Sequence, residues 1–216
     1  MNFKLTASMM CADYRNLENE VRMLDEGGID SFHIDVMDGR FVTNFAMSLN
    51  DLSCIAGLTK KPLDVHLMMD NPEVMIDPFL DAGASCITIH AEIGVKAPGL
   101  LDRISSRGCK AGLALKPGSS LEMITGWLDQ TDLVLMMTVE PGFGGQKLDE
   151  RVIGKIRSLK ELGYRREIEA DGGITEANLG ILAENGLTVA VMGTALFRNK
   201  NMKECIQRLH RIGLNN

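Results

Sequence analysis

The chain has 216 residues, of which 45% are hydrophobic and 24% are charged, and this balance suits a single larger globular domain. A formal net charge of −6 with no cluster of Lys and Arg argues against a nucleic-acid partner, because nucleic acids require a basic surface. An anionic small molecule remains compatible with that charge, since local backbone dipoles can bind a phosphate.

Eight short apolar runs recur along the chain, and each is typical of a buried strand. In chain order they are LTASM (5–9), FHIDV (32–36), LDVHLM (63–68), CITIH (86–90), AGLAL (111–115), LVLMMTV (133–139), EIEADGG (167–173) and VAVMG (189–193). Segments with helical spacing separate them, so the pattern predicts an α/β fold, a (β/α)₈ TIM barrel that occupies residues 1–216 as one domain. A doubly wound open sheet is the alternative. The number of units and the lack of a G-x-G-x-x-G turn after the first strand favour the barrel.

Local signals predict where several helices begin or end. They are a stop at Gly28, an N-cap at Asn71 followed by Pro72, a capping box of Ser119 and Glu122, and a helix from Thr175 to Gly186.

Polar side chains lie at the ends of six of the predicted strands. They are Ser8, His33, Asp35, His66, His90, Lys116 and Asp171. Any one of them alone is compatible with a hydrogen-bonded core residue. Because the active site of a TIM barrel lies at the C-terminal ends of its strands, their shared placement predicts an active site.

Four of these residues form a candidate metal site. His33 and Asp35 share one face of a strand because side chains alternate along it, His66 lies one strand further on, and Asp171 comes from the seventh strand. Two imidazoles and two carboxylates suit one divalent transition metal. The alternative is a buried network of His–Asp hydrogen bonds without a metal.

The two carboxylates also suggest acid–base chemistry. A metal that holds a carbonyl and a neighbouring hydroxyl would stabilise an enediolate. Asp35 and Asp171 could then remove a proton from one face of the carbon and deliver one to the other face, which is epimerisation. Such a reaction needs no redox cofactor, and the sequence contains no fingerprint of a nucleotide cofactor.

Glycine-bearing loops follow the last three strands and are candidates for binding a phosphate. The residues concerned are Gly142, Phe143, Gly144, Gly145, Gly172, Gly173, Gly193 and Thr194. A single pair of glycines is usually only a turn, whereas three such loops in succession favour a phosphate site.

Met37, Met68 and Met137 also lie near strand ends. They either fill the core, as Met does well, or form an apolar cap that excludes water from a reaction centre. His90 and Glu92 are either partners of the site residues or structural residues, and the sequence does not decide between these roles.

The five cysteines are scattered and form no C-x-x-C pair, which is typical of reduced thiols in a cytoplasmic protein. The longest strongly apolar run, LVLMM, is far shorter than the roughly 20 residues of a membrane span. The N-terminal stretch has no sustained apolar segment of the kind found in signal peptides.

Several motifs together resemble the ribulose-phosphate 3-epimerase family. They are SFHIDVMDGRFVTN, LDVHLM, IHAE, MTVEPGFGGQ, ADGGI and VMGTALF, and the match runs in order from Ser8 to about Phe197. The resemblance implies a TIM barrel of the ribulose-phosphate-binding type and an isomerase of carbohydrate metabolism in the pentose phosphate pathway. It also implies a homo-oligomer, commonly a dimer or hexamer.

The resemblance also implies roles for individual residues. His33, Asp35, His66 and Asp171 would bind one divalent ion per subunit, often zinc, with iron, manganese or cobalt as alternatives. Asp35 and Asp171 would be the acid–base catalysts, and Ser8 and His66 would contact the substrate. The glycine loops with Thr194 would hold the phosphate, and the three methionines match the methionine cap of the family.

The chain departs from the family pattern at Thr43, Leu148 and Thr194, none of which removes a predicted ligand or acid. The reaction this resemblance implies is the interconversion of D-ribulose 5-phosphate and D-xylulose 5-phosphate. The stretch SMMCADY resembles instead the D-allulose-6-phosphate 3-epimerase branch, which would convert D-allulose 6-phosphate to D-fructose 6-phosphate. A catalytically silent sugar-phosphate-binding barrel and a phosphate-binding lyase or decarboxylase are alternatives of other classes.

Overall fold

Eight parallel strands close into a barrel in the computed structural model, which describes residues 3–214. Each strand pairs with the next along the chain, and the last pairs with the first, so the predicted TIM barrel is confirmed. The strands are β1 (Lys4–Ser8), β2 (Ser31–Met37), β3 (Leu63–Met68), β4 (Cys86–His90), β5 (Lys110–Leu115), β6 (Leu133–Met137), β7 (Glu167–Asp171) and β8 (Val189–Met192).

Helices cover the outside of the barrel. They are α1 (Leu17–Gly27), α2 (Leu49–Leu58), α3 (Ile76–Asp81), α4 (Ala97–Ser106), α5 (Arg151–Glu161), α6 (Glu176–Glu184), α7 (Thr194–Phe197) and α8 (Met202–Leu214). Short 3₁₀ helices lie in the connections, at Met9–Cys11, Tyr14–Asn16, Pro72–Val74, Ala91–Lys96, Leu121–Met123 and Thr125–Gln130. Among residues 3–214, no helix has the length and apolar character needed to cross a membrane.

Two of the predicted helix boundaries are confirmed. Helix α1 ends where Gly28 adopts the left-handed conformation (φ 89°) and donates its N–H to Asp25 O at 3.1 Å, as expected for a glycine C-cap. Helix α6 has Thr175 as its N-cap, and the Thr175 N–H donates to Asn178 Oδ1 at 2.8 Å.

The prediction at Asn71 is confirmed in position, since Asn71 is the N-cap and Pro72 is the first helical residue, whereas the prediction at Ser119 is wrong. The segment after Asn71 is a 3₁₀ helix followed by α3, and the Asn71 side chain makes no capping hydrogen bond. Pro78 explains the break, because proline has no N–H to donate to the carbonyl of Val74 and its ring clashes there. Ser119 caps no helix; its Oγ donates to Glu92, and the cap of the following 3₁₀ helix is Ser120.

The interior of the barrel divides into a polar and an apolar half. The apolar half is one cluster of Cys86, Ala114, Leu133, Leu135 and Met137. The polar half contains buried residues from β2, β3, β4 and β7, namely His33, Asp35, Asp64, His66, Thr88, His90 and Glu169. Burying so many polar groups costs free energy unless they pair with one another or bind a ligand, and this half of the barrel therefore marks the candidate site.

Candidate active site

A cavity of about 870 Å³ opens at the C-terminal ends of the strands, as expected for a TIM-barrel active site. Most of the residues predicted from the sequence line it. They are Ser8, Asp35, Met37, Met68, Met137, Gly142, Phe143, Gly144, Gly145, Asp171, Gly172, Gly173, Gly193 and Thr194. Two of the predicted metal ligands, His33 and His66, do not line the cavity and are completely buried beside Asp35.

The four predicted metal ligands converge on one point. His33, Asp35, His66 and Asp171 each offer a ligand atom, and these atoms all lie within 4.8 Å of one another. The parallel register explains the convergence, because Asp35 on β2 pairs directly with His66 on β3. His33 Nε2 and His66 Nδ1 each lie 3.4 Å from Asp35 Oδ1.

The surroundings of the two His33 ring nitrogens indicate that the four converging side chains suit a cation. His33 Nδ1 lies 2.8 Å from Asp64 Oδ2, and a carboxylate can only accept, so Nδ1 carries the hydrogen. His33 Nε2 is buried with no hydrogen-bond partner and is directed at the Asp35 carboxylate. Once His33 has lost the proton on Nε2, that nitrogen carries a free electron pair beside a carboxylate oxygen, and such a pair of groups suits a divalent ion that both can bind.

The same surroundings separate the pKa values of the two site carboxylates. Burial opposes ionisation of Asp35, but His33 and His66 hold the pKa of Asp35 well below its usual range. Burial, together with the negative charge of Asp35, raises the pKa of Asp171 to about 7. Although burial lowers the pKa of His33, the charges of Asp35 and Asp64 raise it well above its ordinary value overall.

These pKa shifts predict that the metal-free protein releases protons when it binds a divalent ion. Ligands must be deprotonated, and Asp171 and His33 both have raised pKa values. The apparent affinity for Zn²⁺ should therefore rise as the pH passes through about 7, where Asp171 ionises, and should go on rising until His33 also loses its proton. Isothermal titration calorimetry in two buffers of different ionisation enthalpy measures the released protons. Asp171→Asn should release fewer, and an affinity that does not change with pH would contradict the prediction.

His90 and Glu92, whose role the sequence left open, are connected to this site. His66 Nε2 lies 2.9 Å from His90 Nε2, and His90 Nδ1 lies 3.0 Å from Glu92 Oε2. Burial lowers the pKa of His90 to about 4. Burial opposes ionisation of Glu92, but its hydrogen bonds from His90, Ser119 and the Lys116 N–H together lower its pKa to about 2.

Sequence reasoning missed Asp64 and Glu169, which lie deeper in the barrel. Both are buried beside His33, and both oxygens of Glu169 lack a hydrogen-bond partner. Burial and the nearby charge of Asp64 raise the pKa of Glu169 well above its ordinary value. Strand alternation could have identified them, since each precedes a predicted ligand by two residues and therefore faces the same side of its strand.

The glycine loops line the side of the cavity formed by β6, β7 and β8. Gly173 has φ 64°, and a Cβ added there would lie 2.4 Å from Leu148 N and 2.8 Å from Gln146 O. The loops after β6 and β7 therefore pack backbone against backbone, and only glycine fits at this position. Asn44 Nδ2 also donates to Gly142 O at 2.7 Å, which ties the loop after β2 to the loop after β6.

The three predicted cap methionines are buried against the cavity. Met37 and Met68 are register partners on β2 and β3 and pack with Val42, whereas Met137 belongs to the apolar half of the interior. All three line the cavity, so these methionines both fill the interior and form an apolar part of the cavity wall.

The chain matches other proteins over nearly its whole length. The model of the "Ribulose-phosphate 3 epimerase family" matches residues 4–197. The ribulose-phosphate 3-epimerase of Bacillus subtilis is 36% identical over 211 residues, covering 95% of this chain and 97% of the relative. The protein of the same name from Synechocystis is 40% identical over 212 residues, covering 95% and 92%.

Similar solved structures agree on the fold. KGPDC from Streptococcus mutans superposes with a TM-score of 0.76 at 12% identity, covering 100% of this chain and 99% of that one. The 3-hexulose-6-phosphate synthase of Salmonella typhimurium gives a TM-score of 0.73 at 16% identity, covering 98% and 99%. Identities this low support the barrel alone, whereas the family match and the relatives at 36% and 40% identity decide the family. The chain belongs to the ribulose-phosphate 3-epimerase family.

Proposed function

We propose that the protein is a metal-dependent ketose-phosphate 3-epimerase that interconverts D-ribulose 5-phosphate and D-xylulose 5-phosphate. The observation that carries the proposal is the convergence of His33, Asp35, His66 and Asp171, two of them carboxylates, within 4.8 Å at the mouth of the barrel. Membership of the family and relatives named ribulose-phosphate 3-epimerase support the same activity.

The proposed reaction is a proton transfer at C3 between two acids. One ionised carboxylate takes the proton from C3, and the C–H electrons delocalise onto the neighbouring carbonyl oxygen to give an enediolate. The second, protonated acid then donates a proton to the opposite face of C3. A bound divalent ion supplies positive charge that stabilises the negative charge developing on the substrate oxygens.

Asp35 and Asp171 suit these two roles because they reach the cavity from different directions. Asp35 lies on β2 and Asp171 on β7, with β1 and β8 between them around the barrel. Their pKa values are also pushed apart, which favours one ionised and one protonated acid at the same pH. Ser8 Oγ donates to Asp35 Oδ2 at 2.8 Å and so holds that carboxylate in place.

The opposite side of the cavity would hold the phosphate group. Backbone N–H groups of glycine loops suit a phosphate, and the loops at Gly142–Gly145, Gly172–Gly173 and Gly193–Thr194 line that side. The methionines between the two ends would keep water from the enediolate. We further propose zinc as the metal, a cytoplasmic single-domain subunit and a homo-oligomer, on the family resemblance.

Gly173→Ala should weaken phosphate recognition. Alanine is strained at φ 64°, and its Cβ would meet Leu148 N, so the loop must shift. Losing one hydrogen bond to a charged phosphate costs ~1.5–3 kcal/mol, and KM should therefore rise about tenfold or more. Gly118→Ala is the matched control, because its Cβ would meet no atom within 4 Å. An unchanged KM in Gly173→Ala would argue against this loop as the phosphate site.

The proposal is tested by following deuterium at C3 by NMR in D₂O. The Zn²⁺-loaded protein is incubated separately with ribulose 5-phosphate and with allulose 6-phosphate. Faster exchange and interconversion of the pentulose phosphate is the expected result. A faster reaction of the hexulose phosphate would assign the protein to the allulose-6-phosphate branch, and no exchange with either sugar would leave a silent binding barrel.

A further inference from the structure

The two imidazoles of the proposed metal site present different nitrogens to it. His33 directs Nε2 and His66 directs Nδ1 toward Asp35 Oδ1, each at 3.4 Å. Imidazole binds a metal through its unprotonated nitrogen. The two side chains must therefore hold opposite tautomers, with the hydrogen on Nδ1 in His33 and on Nε2 in His66.

A carboxylate contacts the nitrogen of His33 that faces away from the proposed metal site, but none contacts the corresponding nitrogen of His66, whose Nδ1 is the atom that lies 3.4 Å from Asp35 Oδ1. Asp64 Oδ2 accepts from His33 Nδ1 at 2.8 Å. At the corresponding place beside His66 stands His90, whose Nε2 lies 2.9 Å from His66 Nε2. A hydrogen bond between two imidazole nitrogens needs one donor and one acceptor, and either ring could in principle be the donor.

Glu92 decides the direction of that hydrogen bond. Glu92 Oε1 accepts from the Lys116 N–H at 2.8 Å and from Ser119 Oγ, and these donors require an acceptor there. As part of an ionised carboxylate, Glu92 Oε2 can also only accept a hydrogen bond. It lies 3.0 Å from His90 Nδ1, so the hydrogen between them lies on His90 Nδ1. In neutral His90 the other nitrogen, Nε2, is then an acceptor, and His66 Nε2 must donate.

We propose that His90 and Glu92 are positioning residues that hold His66 in the tautomer with the hydrogen on Nε2, which leaves Nδ1 free for the metal. His90 is completely buried. Its ring stacks on His66 with centroids 5.0 Å apart and contacts the ring of Phe41 at 4.5 Å. Lys116 Nζ covers the Phe41 ring, 3.9 Å from its centroid, so the acceptor is packed on several sides. This assignment rests on the proposed function, because it supposes that His66 binds a metal.

The first test is the protonation pattern of the Zn²⁺-loaded protein, read from ¹H–¹⁵N NMR of ¹⁵N-histidine. The chain has only 4 His, so their ring signals can be assigned by substitution. The expected result is a hydrogen on Nε2 of His66 and on Nδ1 of both His33 and His90. A hydrogen on Nε2 of His90, or none on Nε2 of His66, would overturn the proposal without a variant being made.

The second test compares Zn²⁺ affinity, by competition with a chelator, in three variants. His90→Phe keeps a ring but removes the acceptor, and Glu92→Gln removes the charge that directs His90. Each should weaken Zn²⁺ binding ~10–100-fold, the usual cost of losing a group that orients a metal ligand. In metal-free Glu92→Gln, the hydrogen of His66 should be shared between its two nitrogens, while His33 Nδ1 keeps its hydrogen because Asp64 still accepts from it. Asp64→Asn is the matched control and should give the reverse pattern.

The outcomes separate this inference from the proposed function. Wild-type affinity in both His90→Phe and Glu92→Gln, with His66 still protonated on Nε2, would overturn the positioning role and leave the metal site intact. A wild-type protein that binds no divalent ion would overturn both. A His90→Phe protein that does not fold leaves the decision to Glu92→Gln and to the wild-type NMR pattern.

Discussion

Asp171→Asn is expected to abolish interconversion of the two epimers while solvent deuterium still enters one of them. Asparagine at 171 can neither take nor deliver the C3 proton, so epimerisation should fall by ~10²–10⁴-fold. Asp35 would remain able to remove the proton from the epimer whose C3–H faces it. That proton exchanges with D₂O and deuterium returns to the same face, so this epimer is labelled without inversion.

The measurement is NMR of each epimer incubated separately with the Zn²⁺-loaded variant in D₂O. Asp102→Asn is the matched control, since Asp102 is exposed on α4 and should leave both exchange and inversion unchanged. Metal content measured alongside distinguishes loss of an acid from loss of a ligand. Interconversion within about tenfold of wild type would contradict the two-acid mechanism, because general acid–base catalysis contributes more than that.

The barrel could be predicted because each strand carries its own signal. Runs such as AGLAL and LVLMM are apolar on both faces, as is typical of the strands of a parallel sheet covered by helices. The convergence of the candidate ligands could be predicted for a related reason. A polar residue within such a run, such as Asp35 or His66, has no structural advantage there, and strand alternation indicates which residues share its face.

What the sequence left open depends on contacts between strands and on the direction of single hydrogen bonds. Whether His90 meets His66 depends on the register in which β3 pairs with β4, and the distance between the two residues along the sequence does not determine that register. Ser119 likewise differs from its prediction as a helix cap, because its hydroxyl donates to Glu92, which lies far away in sequence. The capping signal at Asn71 predicts where a helix begins, but it does not indicate the break before α3 that Pro78 explains.

Asp35→Asn should give the complementary labelling pattern together with a weaker metal site. Asp171 would then be the remaining acid, so deuterium should enter the other epimer, and interconversion should again fall by ~10²–10⁴-fold. Asp35 also approaches both imidazoles at 3.4 Å and accepts from Ser8 at 2.8 Å. Replacing its charge by a neutral amide therefore removes the centre of the donor set, and Zn²⁺ affinity should fall more than in Asp171→Asn.

The two aspartate variants are informative as a pair. If each acid serves one face of C3, the epimer that Asp171→Asn still labels is the one that Asp35→Asn leaves unlabelled. Exchange is measured with Zn²⁺ in excess, so that both variants are loaded and their different affinities for Zn²⁺ do not affect the comparison. Labelling of the same epimer by both variants would mean that a group other than these carboxylates serves one face of C3. The second proton would then have to be carried by water or by Ser8 Oγ, which lies 2.8 Å from Asp35 Oδ2.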